Sequence, residues 1–199
     1  KVSGGLHGVG ASVVNALSIK CEVEVHREGF VWRQRYERGT PKSEVEKIGT
    51  TTATGTKVTF KPDREIFKEE GLTFDFTYLC NRFRELAFLN AGLHIAVKDD
   101  RFGKKTDFQY SLGVAEFVSY MNQSKKSVHS DVVYFKGEKD NVEVEIAMQW
   151  NDSYSESIYT YCNNINTHEG GTHLIGFRGA LTRTTNQYAT DKNLLKDMK

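Results

Sequence analysis

The stretch KVSGGLHGVGASVVNALS, Lys1–Ser18, decides how the rest of the chain is read. Gly4, Gly5, Gly8 and Gly10 crowd its first half, and Ala11 to Ser18 then reads as helix, with Val13, Val14 and Leu17 at one-face spacing. Glycine reaches φ > 0 and lets backbone approach a ligand closely. A glycine loop feeding a helix can therefore aim successive N–H groups at one anion, to which the first helical turn adds its own unpaired donors and positive dipole end. The pattern predicts a phosphate-binding loop. Such loops follow a strand or helix that carries other ligand contacts, so with Lys1 in first place the sequence reads as an internal segment of a longer protein.

Composition bounds the rest. The 199 residues are 38% apolar, 12% aromatic and 27% charged with two prolines, which describes an ordinary folded chain and excludes a disordered one. A net charge of +1 supplies no overall field for nucleic acid, membrane or acidic partners, so any DNA contact is local. Cys21, Cys80 and Cys162 are far apart and in no CxxC pattern, which argues against a disulfide framework or a cysteine zinc site and fits a reducing cytoplasm. No apolar run approaches membrane-spanning length, and nothing resembles a signal peptide.

Periodicity predicts a hairpin, Cys21–His26 and Phe30–Tyr36 across a Glu28-Gly29 turn, with Glu22 and Glu24 on an exposed face. Gly55 turns into a third strand of the same sheet through Thr56, Val58 and Phe60, ended by Pro62-Asp63. Phe74 to Asn90 is helical, stops at Asn90-Ala-Gly92, and is expected to cover that sheet. A strand through Leu93, Ile95 and Val97 turns at Asp99–Gly103 and returns, closing a first domain near Tyr110. A second begins with the helical pattern Val114, Phe117, Val118 and Met121. Strands over Val132–Phe135, Val142–Trp150 and Ser157–Asn163 follow, and then a helix from Thr172 with Leu174, Phe177, Leu181 and Thr184 on one side. The class is α+β.

Neither common nucleotide motif fits the opening loop. A Walker A loop needs a lysine and hydroxyl after its last glycine, and a dinucleotide fingerprint needs a third glycine where Val13 stands. HEGGTH, His168–His173, spaces its histidines five apart across two glycines, so they do not share a helix face as a zinc pair would. Gly170 and Gly171 instead read as a strand-to-helix turn with Thr172 as N-cap. For an isolated glycine cluster, a tight turn into a helix is as good a reading as a ligand site.

The whole string closely resembles the ATP-lid block of the GHKL ATPase superfamily in the version used by bacterial type IIA topoisomerases. EVHREG, TGTKVTF, RFRELAFLNAGLHI, QWND and NNINTHEGGTHLIGFRGALTRT resemble, in order, the remaining blocks of the gyrase B family, from Lys1 to about Tyr188. The resemblance implies the C-terminal part of a GHKL-type ATPase α/β sandwich over residues 1–110. The beginning of a ribosomal-protein-S5-like transducer domain would follow over 111–199. It implies that backbone groups of Gly4, Gly5, Leu6, His7, Gly8, Val9 and Gly10 wrap the triphosphate of ATP, with Lys1 either adding a charge nearby or solvated. Thr56 would join a water-bridged network at the adenine, and Arg27 would stand at the pocket rim that aminocoumarin inhibitors contact.

In that family the general base, the Mg2+ ligand and the adenine-binding aspartate precede the lid, and the transducer lysine follows the EGGTH helix. The segment alone is therefore expected to be inactive. The parent would couple ATP binding and dimer closure to passage of one DNA duplex through another, with the gyrase A subunit as partner. EGGTHLIGFR, with Phe177 before Arg178, looks more like gyrase than like the paralogous ATPase subunit of topoisomerase IV, which shares most blocks. A superfamily chaperone or repair clamp without strand passage, and a stand-alone binding module, are the readings from other classes.

Overall fold

A computed structural model describes residues 8–68 and 72–195. The loop residues Lys1, Gly4, Gly5, Leu6 and His7 lie outside the described residues. The chain divides into two compact units. The described part of the first is 8–68 and 72–85 with 94–108, and that of the second is 86–93 with 109–195.

The first unit opens with α1, Val9–Ala16, two residues earlier than the periodicity suggests. β1 (Ser18–Arg27) and β2 (Phe30–Glu37) form a hairpin across Glu28 and Gly29, at φ 55° and 82°, the left-handed pair that a two-residue turn between right-twisted strands requires. β3 (Thr40–Pro41) and β4 (Glu46–Thr50) both pair with β2, and β5 (Gly55–Pro62) pairs with the other edge of β1, all antiparallel. The register puts Cys21, Val23 and Val25 opposite Phe60, Val58 and Thr56. Because residues directly opposite share a face, this side of the sheet is apolar.

The other face is charged but not freely solvated. The Glu22 and Glu24 side chains are only 18% and 17% exposed, each held across strands, Glu22 by Arg35 at 3.0 Å and Glu24 by Lys57 at 3.2 Å. The expectation of an exposed face is corrected there: long basic side chains on neighbouring strands fold over the shorter glutamates.

α1 lies next to β1, β2 and β5 of this sheet. The first part of α2 (Phe76–Leu89) meets the hairpin β6 (Ile95–Asp99) and β7 (Lys104–Phe108), where Arg84 sits over the Phe108 ring.

In the second unit the core gathers around the last turn of α2. Ala87 and Phe88 are 0% and 1% exposed, and Phe88 stacks on Tyr110 and on Phe117 of α3, Val114–Asn122. β8 (Val133–Lys139) and β9 (Val142–Met148) form a hairpin, and α3 packs on β9. The strand expected over Ser157–Asn163 is only Tyr161–Cys162, β10, paired with β11, Ile165–Asn166, across left-handed Asn163 and Asn164. α4 spans Thr172–Asp191, with Gly171 at the N-cap, so Thr172 is the first helical residue and not the cap.

Candidate functional site

The predicted phosphate loop enters α1 through Gly8, which sits at φ 80° and ψ −8° in the N-cap position. Only glycine adopts this left-handed conformation without steric cost. Among the described residues no side chain caps the helix and no acidic residue stands in its first turn. Gly8, Val9 and Gly10 are all exposed. Gly10 differs from Gly8: it lies inside the helix without a positive φ, and a Cβ built there meets nothing within 4 Å. A positive φ is therefore not what calls for glycine at position 10.

Thr56 and Arg27 come together at one end of the sheet. Thr56 lies opposite Val25 on β5 and is exposed, while Arg27 closes β1 and pairs with Glu28 at 2.9 Å. His26 stands between them in the register, its Nδ1 3.4 Å from the Thr51 hydroxyl. α1 joins the opposite end of β1, at Ser18. From Ser18 to the Val25–Thr56 row is about 23 Å of extended strand, whereas α1 is about 12 Å long, so α1 is too short to bring Gly8 to that row.

Sequence reasoning missed what lies beneath the C-terminal end of α1. Asp63, read as a strand-ending residue, is 1% exposed. Its carboxylate accepts Nε–H of Arg38 at 2.5 Å and N–H of Glu65 at 2.9 Å. The Arg38 hydrogen bond, with the Glu65 N–H second, holds the Asp63 carboxyl below the usual carboxylate range against the opposing effect of burial. A second carboxylate, Asp99, is held in the same direction by Arg101, which also donates to the Phe74 carbonyl at 2.7 Å. QWND is likewise structural. Gln149 accepts from Asn122 at 2.8 Å and donates to the His129 carbonyl at 3.0 Å, while Asn151 donates to Asn122 at 3.0 Å.

In HEGGTH, His173 hydrogen bonds through Nε2 with Thr167 at 3.2 Å. Among the described residues no three His, Cys, Asp or Glu side chains are placed to hold a metal ion, and no helix is long and apolar enough to cross a membrane.

Known proteins share this fold. A family model described as DNA gyrase B matches residues 113–199. The chain is 52% identical to the DNA gyrase B protein of Myxococcus xanthus, over 100% of this chain and 24% of that protein. It is 54% identical to the DNA gyrase B protein of Halalkalibacterium halodurans, over 99% of this chain and 31% of that protein. The crystal structure of the 43K ATPase domain of Thermus thermophilus gyrase B, in complex with an aminocoumarin, matches with a TM-score of 0.86 and 40% identity, over 97% of this chain and 53% of that chain. The chain thus spans about a quarter to a third of the length of the Myxococcus and Halalkalibacterium proteins. The likeness runs through both compact units, the mixed helix and antiparallel sheet match a gyrase B ATPase-domain structure, and over its whole length the chain is similar to DNA gyrase B proteins.

Proposed function

We propose that the chain is part of an ATP-hydrolysing gyrase subunit that couples nucleotide binding and dimer closure to DNA strand passage, together with the A subunit, in the cytoplasm. Residues 1–110 would be the C-terminal part of its ATPase domain, and 111–199 the first part of its transducer. The Myxococcus and Halalkalibacterium relatives are gyrase B proteins, which favours gyrase over topoisomerase IV.

The observation that carries this reading is the open N-terminus of α1 behind left-handed Gly8. Amide N–H groups of Gly4 through Gly10 would converge on the triphosphate, and each charge-assisted hydrogen bond to phosphate is worth about 1.5–3 kcal/mol net. Leu6, His7 and Val9 contribute backbone here, so their side chains matter less than the glycines that let the chain turn. Thr56 and Arg27 would face the nucleoside end and the pocket rim. The Thermus thermophilus structure contains an aminocoumarin, and Arg27 as a rim residue rests on the family resemblance of EVHREG. Lys1 would add charge near the phosphates. By the same family resemblance, Mg2+ would be held by residues outside this segment.

The test is calorimetric titration of the full-length subunit with a non-hydrolysable ATP analogue, comparing wild type with Gly10→Val. A loss of two or three such bonds predicts at least a hundredfold weaker binding, at ~1.4 kcal/mol per tenfold. Unchanged affinity in a folded variant overturns the phosphate role.

A further inference from the structure

We propose that the Arg38–Asp63 ion pair is a positioning device for α1: it fixes the helix by its C-terminal end and so sets where the amides of the first turn meet phosphate. The proposal rests on the phosphate reading of Gly8–Gly10 given above.

α1 is not seated by a buried apolar stripe. None of its residues is buried, and Val9 and Val13 remain 41% and 43% exposed. What holds it lies at the end where it becomes β1. Ser18, itself 1% exposed, donates its hydroxyl to the Val14 carbonyl at 2.6 Å. Asp63 N–H donates to the Leu17 carbonyl at 3.0 Å, and Arg38 N–H donates to the next carbonyl, Ser18, at 2.8 Å. The two residues that grip consecutive carbonyls with their backbones are also joined to each other through their side chains, Nε to Oδ2, at 2.5 Å. The turn after β2 and the turn after β5 are thereby closed into one ring around Leu17-Ser18.

Arg38 is not the residue its turn calls for. It occupies the first place of the two-residue connection between β2 and β3, at φ 46°, followed by Gly39 at φ 80°. Asn and Asp tolerate that conformation best, and a long side chain there carries a strain cost. The guanidinium offsets it: besides Asp63, it reaches Glu65 through Nη2 at 2.9 Å. Gly39 takes the left-handed second place of the turn, and it lies beside Ala16 at the end of α1. Leverage makes the anchor matter for binding. For a helix about 12 Å long, a tilt of about 10° at the anchored end moves the other end by about 2 Å, more than an amide–phosphate hydrogen bond tolerates.

The experiment uses the full-length subunit and the variants Arg38→Asn, Arg38→Lys and Asp63→Asn, with Gly10→Val alongside. Arg38→Asn suits the turn, so it keeps the fold while removing the ion pair. Affinity for a non-hydrolysable ATP analogue, the thermal midpoint, and kcat and KM for ATP are read on each, below the temperature at which any variant begins to unfold. The expected result is about tenfold weaker binding and a matching rise in KM for Arg38→Asn and Asp63→Asn, equivalent to ~1.4 kcal/mol. Arg38→Lys should recover part of the loss, and kcat at saturation should change less than twofold. A lowered thermal midpoint with wild-type affinity in Arg38→Asn would make the pair a fold contact only and overturn the proposal. If Gly10→Val weakens binding while Arg38→Asn does not, only the positioning role fails. If Gly10→Val itself binds normally, the phosphate reading fails first.

Discussion

Phe88 lies face to face with Tyr110, ring centroids 3.6 Å apart and planes 17° from parallel, and Phe117 stacks with Phe88 at 4.9 Å. Gly113 allows this packing: at φ 58°, a Cβ on it would stand 3.3 Å from both the Phe88 carbonyl oxygen and the Ala91 Cβ. Phe88→Ala would remove the centre of this cluster and leave a cavity that its ring neighbours fill poorly. The expected cost is about 3–5 kcal/mol of unfolding free energy, measured by urea titration. Phe102→Ala, at a position 70% exposed, should stay within about 0.5 kcal/mol.

Asp63 gives a pH dependence of definite sign. Its folded carboxyl titrates below its unfolded value, first because of Arg38. The stability it contributes is therefore fully present above the unfolded pKa, ~3.9, and is lost as pH falls through the lower folded pKa. Thermal midpoints of wild type and Asp63→Asn should differ most at neutral pH and converge at pH values below ~4. A difference that stays constant down to pH 3 would show that the carboxylate charge is not what the pair supplies.

The hairpins were legible because alternation and left-handed two-residue turns are local signals, as at Glu28-Gly29 between β1 and β2. β3 and β4 were not, since Thr40–Pro41 is two residues long and Glu46–Thr50 contains a glycine and no alternating apolar residues. The burial of Asp63 depends on Arg38, 25 positions away, and a charged residue after a proline looks locally like a solvated turn. The same distance hid the ion pairs that cover Glu22 and Glu24. In the candidate site, glycine content was the local signal. Of the two loop glycines described, Gly8 has the left-handed backbone and Gly10 does not, which only the observed φ distinguishes.

The cysteines should separate by reactivity. Cys21 and Cys80 are 2% and 6% exposed, and burial pushes the Cys21 thiol up, away from the reactive thiolate. Cys162 is exposed on β10. Brief alkylation at neutral pH followed by peptide mapping should label Cys162 alone of the three, with Cys21 and Cys80 reacting only after denaturant is added. Early labelling of Cys21 would mean that the sheet opens locally on the timescale of the reaction.

Gly10 offers the cleanest separation of fold from ligand. It stands in the second position of α1 with ordinary helical backbone, and an added Cβ meets no atom of the described residues within 4 Å. Without ligand, Gly10→Ala should therefore leave stability unchanged or raise it by up to about 1 kcal/mol, since alanine favours helix over glycine. With ligand, the methyl group would stand where phosphate oxygens must approach the amides, and ATP-analogue binding should weaken by about tenfold or more, each lost charge-assisted bond being worth ~1.5–3 kcal/mol. Thermal unfolding of the full-length subunit with and without the analogue reads both effects on one protein: the variant's midpoint should match or exceed wild type without nucleotide and fall below it when nucleotide is present. A turn-only role for the glycine predicts the reverse, a lower midpoint without nucleotide and the full wild-type shift upon its addition, and that outcome would remove Gly10 from the phosphate site.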